Sequence, residues 1–103
     1  MNEEAVDNPL PLRLVYTDEL MQVAVVCVQA GASTGDEVHE ATSQTVYVVE
    51  GEGMATLDGT VYDLYAGDSV FVPAGTVYDL ANTGKRPLRM FAVYAGAQLH
   101  AED

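Results

Sequence analysis

The sequence predicts an all-β fold, a barrel or sandwich of short antiparallel strands, and three observations support this. Short runs rich in Val and Tyr recur along the whole chain, and these residues favour strands over helices. Turn sequences containing Gly, Asp or Pro separate the runs at short, regular spacing, as in β-sandwiches and barrels. No segment shows the apolar period of a helix over about ten or more residues.

Each strand can be assigned from its own residues. The first two are Leu12–Thr17 and residues 20–29, and the second is long and Val-rich enough to be central. After a Gly-containing break at residues 30–36, the remaining strands are 45–50, 54–57, 60–65, 69–72, 77–81 and 88–94. The pair Asp58-Gly59 is a hairpin signal, because a type I′ turn needs positive φ at both central residues.

The chain length bounds the domain organisation. With 103 residues there is room for one domain with a single modest core, and residues 12–96 are predicted to form it as a β-barrel. Residues 1–11 carry three acids and two prolines and are predicted to be a flexible arm. Residues 97–103 are predicted to be a C-terminal tail in which His100 is solvated.

The acidic composition excludes several classes of partner. Sixteen Asp and Glu against four Lys and Arg give a net charge of −12, which would repel a phosphate backbone, so nucleic acid is not expected as a partner. The lone cysteine, Cys27, excludes an internal disulfide and is interpreted as a buried apolar residue. Because no secretory signal and no run of about twenty apolar residues is present, we expect a cytoplasmic protein without membrane contact.

The stretch from Gly31 to Gly53 contains the candidate site. Glu37 and His39 project to the same side if they lie on extended backbone, because side chains alternate faces with period two. Gln44 lies on one face of the following strand, and Tyr47 lies on the other face. Two ligand-type side chains at i and i+2, with a third returning across a short loop, can converge on a small molecule or a metal ion.

Two spaced motifs in this chain resemble those of the cupins, small jelly-roll barrels also described as double-stranded β-helices. The first motif, Gly-x5-His-x-His-x3–4-Glu-x6-Gly, falls on Gly31, Glu37, His39, Gln44 and Gly51. The second motif, Gly-x5-Pro-x-Gly-x2-His-x3-Asn, falls on Gly67, Pro73, Gly75, Tyr78 and Asn82. The resemblance extends from about residue 20 to residue 94 and implies a cupin barrel.

The resemblance also implies a metal-ligand set. The usual three His and one Glu of the family fall at the positions of Glu37, His39, Gln44 and Tyr78. His39 keeps the family's residue type, and Tyr78 replaces the last His. An oxygen-rich set with one imidazole suits zinc, manganese or iron, and a phenolate favours ferric iron.

The chemistry of these four residues leaves a second interpretation open. A carboxylate that faces an apolar barrel is costly unless it is paired. Protonated His39, together with donors from Gln44 and Tyr78, can satisfy Glu37 without any metal. The sequence is therefore compatible with either a divalent or ferric ion or a metal-free hydrogen-bonded cluster.

These alternatives define the functional predictions. The first is a small cupin that binds a divalent metal and a small polar or carbonyl-bearing molecule, with isomerase-like or dioxygenase-like chemistry implied by the resemblance alone. The alternative is a non-catalytic, metal-free ligand-binding or sensor barrel, for which a neutral phenol at Tyr78 is better suited. A degenerate barrel kept for oligomer assembly is a third possibility.

Two further predictions concern the surroundings of the site and the assembly of the chain. Four side chains are predicted to line the pocket: Tyr47, Met54, Met90 and Phe91. A homodimer is expected, because the open sheet edges of small barrels are commonly covered by a partner.

Overall fold

The computed structural model describes residues 12–96, and these residues form eight β-strands in two antiparallel sheets. The strands are β1 Leu12–Thr17, β2 Met21–Val28, β3 Thr42–Glu50, β4 Glu52–Leu57, β5 Thr60–Tyr65, β6 Ser69–Val72, β7 Tyr78–Asn82 and β8 Leu88–Gly96. The predicted all-β architecture is confirmed. Within these residues there is no helix of the length and hydropathy needed to span a membrane. The predicted arm and tail, including His100, lie outside the described residues.

The larger sheet has the strand order β1-β2-β8-β3-β6, and the smaller sheet has the order β5-β4-β7. The last strand, β8, therefore lies between β2 and β3, and it pairs with each of them over long antiparallel ladders. This crossing of early and late strands brings residues from both ends of the barrel domain into one sheet.

The core lies between the two sheets and follows from the alternation of side chains along each strand. In β3 and β8 buried and exposed residues alternate, so that one face of the larger sheet points inward. The largest fully buried side chains are Leu64, Leu88, Met90, Val28, Val46 and Val48. Apolar burial of this kind is the main favourable term for a domain of this size.

The turns and strand ends differ in how well the sequence predicts them. Asp58 and Gly59 have φ values of 48° and 88°, as the predicted type I′ hairpin requires. By contrast, β3 begins at Thr42, three residues before the predicted start. Thr42 and Ser43 pair with the end of β8, and their polar side chains gave no strand signal before that partner was known.

Candidate functional site

Glu37 is positioned by backbone pairing with β7. Its amide and carbonyl exchange hydrogen bonds of 2.8 Å with those of Tyr78, and Ser33 forms a second bridge to Ala81. The segment before β3 thus runs antiparallel to β7 and covers its free edge. Because directly opposed residues of an antiparallel pair project to the same face, the carboxylate of Glu37 lies beside the phenol of Tyr78.

His39 is held by the turn that precedes β7. The amide of Gly75 donates to the carbonyl of His39 at 2.8 Å. Gly75 has a φ of 82°, a conformation that glycine adopts without strain. The Pro73-Ala74-Gly75 turn of the second motif therefore fixes the backbone of the histidine of the first motif. The two motifs are joined by this hydrogen bond.

The hydroxyl of Tyr78 is the centre of the site. It donates to Oε1 of Glu37 at 3.1 Å, and it lies 3.2 Å from Nε2 of His39. In the interior, Gln44 and Tyr94 are close enough to this hydroxyl to influence its pKa. The structure thus brings Glu37 and His39 into contact with Tyr78, and it places Gln44 nearby.

The proton arrangement at this oxygen follows from counting donors and acceptors. A phenol has one hydrogen and two lone pairs. Since its hydrogen goes to Glu37, the contact with His39 requires a hydrogen on Nε2. One lone pair of the hydroxyl then remains, so Tyr78 can accept from only one further donor.

Burial divides the site into an inner and an outer part. Gln44 and Tyr78 are each 3% exposed and Tyr94 is 6% exposed. The side chains of His39 and Glu37 are 34% and 45% exposed. Nε2 of His39 and Oε1 of Glu37 are 3.9 Å apart, a long distance for an ion pair. Because solvent screens the pair, it contributes little to the stability of the fold. The site therefore has a dry interior and an opening to solvent.

Two residues of the inner part were not predicted. Tyr94 contacts His39 edge to face, with ring centroids 5.7 Å apart, and it pairs across the sheet with both Gln44 and Gln22. Gln22 is 6% exposed, and its amide nitrogen has no hydrogen-bond partner among the described residues. Strand alternation could have placed both residues inward, but only the pairing of β2 and β3 with β8 places Tyr94 between Gln22 and Gln44.

We call the buried row formed by these residues the polar floor: Gln22, Gln44, Tyr78 and Tyr94. Burial raises the pKa of Tyr78 far above its ordinary value, with a hydrogen bond from Gln44 opposing this effect. Burial likewise raises the pKa of Tyr94 to about 12, and the charge of Glu37 adds to the increase. Both phenols of the polar floor are therefore neutral at physiological pH.

This chemistry does not match a usual metal site. The described residues contain no group of three or more His, Cys, Asp and Glu side chains that could hold a metal ion. Common zinc sites use three or four such ligands. Tyr78 would have to lose its proton to serve as a strong ligand, and its burial opposes that loss. The residues present thus fit a hydrogen-bonded cluster better than a metal centre.

Most of the predicted pocket-lining residues lie elsewhere. Tyr47 and Phe91 are 47% and 38% exposed and alternate with buried neighbours, so they point outward from the larger sheet. Met54 alternates with buried Gly53 and Ala55 and lies on the outward face of the smaller sheet. These three residues were predicted to line the pocket from their hydrophobicity, which does not tell which face of a strand is the inner one. Met90 does point inward, but it belongs to the packed core.

A second depression lies away from these residues, near the turn after β3. It is a groove of about 180 Å³ lined by Gly51, Glu52, Tyr65, Ala66, Gly84, Lys85 and Arg86. None of the residues that converge on Tyr78 lines it. The groove is therefore separate from the candidate site.

The fold and the two motifs, which are joined by the hydrogen bond from Gly75 to His39, define a cupin barrel. The family model described as "Cupin domain" matches residues 24–94, and the chain belongs to that family.

Individual relatives show the same relationship. An uncharacterized protein of Methanocaldococcus jannaschii is 28% identical over 76 residues, which cover 74% of this chain and 61% of that protein. Mannose-1-phosphate guanylyltransferase of Escherichia coli is 30% identical over 82 residues, covering 80% of this chain and 17% of the enzyme. The chain thus spans less than two thirds of these curated relatives. A Klebsiella pneumoniae protein with a double-stranded β-helix domain has a TM-score of 0.84 at 27% identity, covering 97% of this chain and 90% of that one.

Proposed function

We propose that this protein binds a small, neutral, hydroxyl- and carbonyl-bearing molecule above the polar floor through direct hydrogen bonds, without a metal ion. The observation that carries the proposal is a buried donor of the polar floor, the amide nitrogen of Gln22, which has no hydrogen-bond partner among the described residues. Because a buried donor without an acceptor costs about 1–3 kcal/mol, an acceptor from a ligand stabilises the site.

Three features of the protein restrict the chemistry of that ligand: Glu37 at the opening, Gln22 in the polar floor and the net charge. Glu37 accepts hydrogen bonds only, so it favours a hydroxyl or amine on the ligand. The amide donor of Gln22 favours a carbonyl or hydroxyl oxygen. A net charge of −12 repels anions, which argues against a free carboxylate or phosphate as the group that enters. A small polyol, sugar or hydroxyketone meets all three conditions.

A thermal-shift experiment tests this proposal. Protein stripped of metal with EDTA is heated with a panel of aldoses, ketoses, polyols and hydroxyketones, since a ligand that binds only the native state raises the unfolding temperature. We expect at least one panel compound to raise the midpoint in EDTA. The increase should be lost in Tyr78→Phe and kept in Tyr62→Phe, a matched exposed tyrosine. The absence of any shift across the panel would contradict the proposal.

A second candidate is binding of a divalent metal by Glu37, His39, Gln44 and Tyr78. One observation favours it: Glu37 Oε1, His39 Nε2 and Tyr78 Oη lie 3.1, 3.2 and 3.9 Å from one another. Atoms at these separations can share one ion at roughly 2.1 Å, the length of a zinc–oxygen or zinc–nitrogen bond. Isomerase-like or dioxygenase-like activity depends on this candidate.

Elemental analysis distinguishes the two candidates. Protein without a histidine tag is loaded with zinc, manganese or ferrous iron and desalted, and its metal content is measured. The proposed metal-free function predicts far less than one ion per chain. Stoichiometric metal that is lost in His39→Ala, and retained when the other histidine is changed in His100→Ala, would favour the second candidate instead.

A further inference from the structure

The groove near the turn after β3 is built by the last residues of the two motifs. Gly51, which ends the first motif, lines the groove. A Cβ atom on Gly51 would lie 2.7 Å from the carbonyl oxygen of Pro87, so the turn after β3 packs directly against the loop between β7 and β8. Asn82, which ends the second motif, holds that loop.

Asn82 fixes the backbone of the loop through three hydrogen bonds of its side chain. It is 5% exposed, and its side-chain nitrogen donates to the carbonyl oxygens of Val28 and Arg86, each at 2.8 Å. Its side-chain oxygen accepts from the amide of Gly84, also at 2.8 Å. Because these bonds reach both sides of Lys85, the side chains of Lys85 and Arg86 extend from a fixed backbone.

Lys85 and Arg86 are two of the four Lys and Arg residues of the chain, and both line the groove. Both are exposed, and within residues 12–96 neither forms an ion pair. In a chain with sixteen acids, two adjacent cations without an acidic partner are a notable exception. Their charge is therefore available to a ligand.

The acids that are near the groove in the sequence have other partners, with one exception. Glu50 lies 3.8 Å from Arg89. The carboxylate of Asp68 accepts from the amide of Tyr65 at 2.9 Å. Of the three acids Glu50, Glu52 and Asp68, only Glu52 lines the groove. The groove thus combines two cations with a single carboxylate.

This local charge is more important for a ligand in the groove than the net charge of the molecule. At physiological ionic strength the Debye length is about 8 Å, so exposed acids further away are largely screened. An anion in the groove therefore responds first to Lys85, Arg86 and Glu52. The polar floor contains no Lys or Arg, so it lacks this compensation.

We propose that the groove binds a small carboxylate that also carries a hydroxyl or ammonium group. Lys85 and Arg86 hold the carboxylate through charge-assisted hydrogen bonds. Glu52 only accepts hydrogen bonds, so it receives the hydroxyl or ammonium group and repels a second negative charge. The volume of about 180 Å³ is below the roughly 300–1,000 Å³ of drug-sized sites, which limits the ligand to a few heavy atoms.

Nuclear magnetic resonance of isotopically labelled protein tests the proposal with four probes. Lactate has both required groups, acetate lacks the hydroxyl, propylene glycol lacks the carboxylate, and inorganic phosphate is largely dianionic. We expect lactate to shift the amide resonances of Gly51, Gly84, Lys85 and Arg86 in a saturable manner. Acetate should bind more weakly than lactate, and propylene glycol should not shift these resonances.

Substitutions at the groove identify the groups that hold the ligand. Lys85→Gln and Arg86→Gln should each weaken lactate binding by at least about tenfold, the effect of losing one charge-assisted contact. Arg13→Gln is the matched control, because it changes the net charge equally but lies on β1, outside the groove. Glu52→Gln should strengthen phosphate binding, because the repelling carboxylate is gone. Circular dichroism verifies that each variant is folded.

The results of these titrations support or overturn the proposal. Saturable lactate shifts that weaken in Lys85→Gln and Arg86→Gln, and that are kept in Arg13→Gln and Tyr78→Phe, support it. Shifts that never saturate, or that persist in both folded groove variants, overturn it. Phosphate that binds the wild type more tightly than lactate, or no better in Glu52→Gln, also overturns it. Loss of the shifts in Tyr78→Phe would place the ligand at the polar floor and overturn it too.

Discussion

Among single residues, Tyr78 has the largest influence on the chemistry of the site. Its hydroxyl contacts Glu37 and His39 at the opening, and its pKa also responds to Gln44 and Tyr94 in the interior. The sequence predicted that this position departs from the family's histidine, and it left open whether the phenol would be charged or neutral. Burial is what favours the neutral form, and burial could not be known before the strands were paired.

Removing that hydroxyl should destabilise the fold measurably. In Tyr78→Phe the hydrogen bond to the carboxylate of Glu37 is lost, and one such bond contributes about 0.5–1.5 kcal/mol to stability. We expect this loss in the free energy of unfolding measured with urea. Tyr62→Phe, at an exposed position, should change it by less than about 0.5 kcal/mol. Equal effects of the two changes would mean that the hydrogen bonds of Tyr78 contribute nothing to stability.

The two buried phenols also predict a dependence on alkaline pH. The pKa of Tyr94 rises from 10.0 to about 12 on folding, and that of Tyr78 rises further. The native state therefore keeps these protons at a pH where the unfolded state has lost them. Their contribution to stability is complete below pH 10 and falls as pH rises through 10 toward 12, by about 1.4 kcal/mol per pH unit for each group.

Urea unfolding at a series of pH values from neutral to alkaline measures this slope. Tyr94→Phe should have a shallower decline than the wild type, because one of the two linked groups is gone. A wild-type stability that is flat across this range would contradict the neutral, buried state of both phenols.

For the strands, the sequence predicted most of what the structure contains. The two motifs, the Asp-Gly hairpin and the positions of the strands follow from turn chemistry and alternation, which are local properties. Tyr94 and Gln22 were missed, and Tyr47, Met54 and Phe91, which were predicted to line the pocket, lie on outward faces. Each of these depends on which strands pair and in what register, and a single sequence does not contain that information.

The close approach of β4 to β7 gives a test of the packing of these elements. A Cβ atom on Gly53 would overlap the carbonyl oxygen of Ala81, which the backbone holds in place. We expect Gly53→Ala to cost roughly 1–3 kcal/mol of stability or more. Gly84→Ala is the control, because the one tight contact of its Cβ is with the side chain of Glu52, which can move. Thermal unfolding of both variants measures the difference, and a neutral Gly53→Ala would show that β4 and β7 lie further apart.

For the molecule as a whole, the net negative charge lowers the stability of the folded state. Twelve uncompensated negative charges on 103 residues repel one another in the folded state. Raising the salt concentration from about 0.1 M to about 1 M shortens the Debye length from about 10 Å to about 3 Å and screens that repulsion. We therefore expect the thermal midpoint of the protein to rise with potassium chloride.

A charge-neutralised variant provides the control for this salt effect. In Glu52→Gln with Asp63→Asn, both on exposed positions of the smaller sheet, the increase with salt should be smaller. A midpoint that falls or does not change with salt would show that self-repulsion is not a significant term. Net charge was fully predictable from the sequence, whereas which strands share a sheet face, and so where the acids cluster, depends on strand order.

The most direct test of the proposed site is an ultraviolet difference spectrum recorded while zinc or ferric iron is added to metal-stripped protein at neutral pH. The spectrum reports whether a tyrosine loses its proton. We predict no tyrosinate signal, because Tyr78 stays a neutral phenol hydrogen-bonded to Glu37. One equivalent of tyrosinate per chain, absent in Tyr78→Phe, would show that Tyr78 is a metal ligand and would contradict the metal-free site.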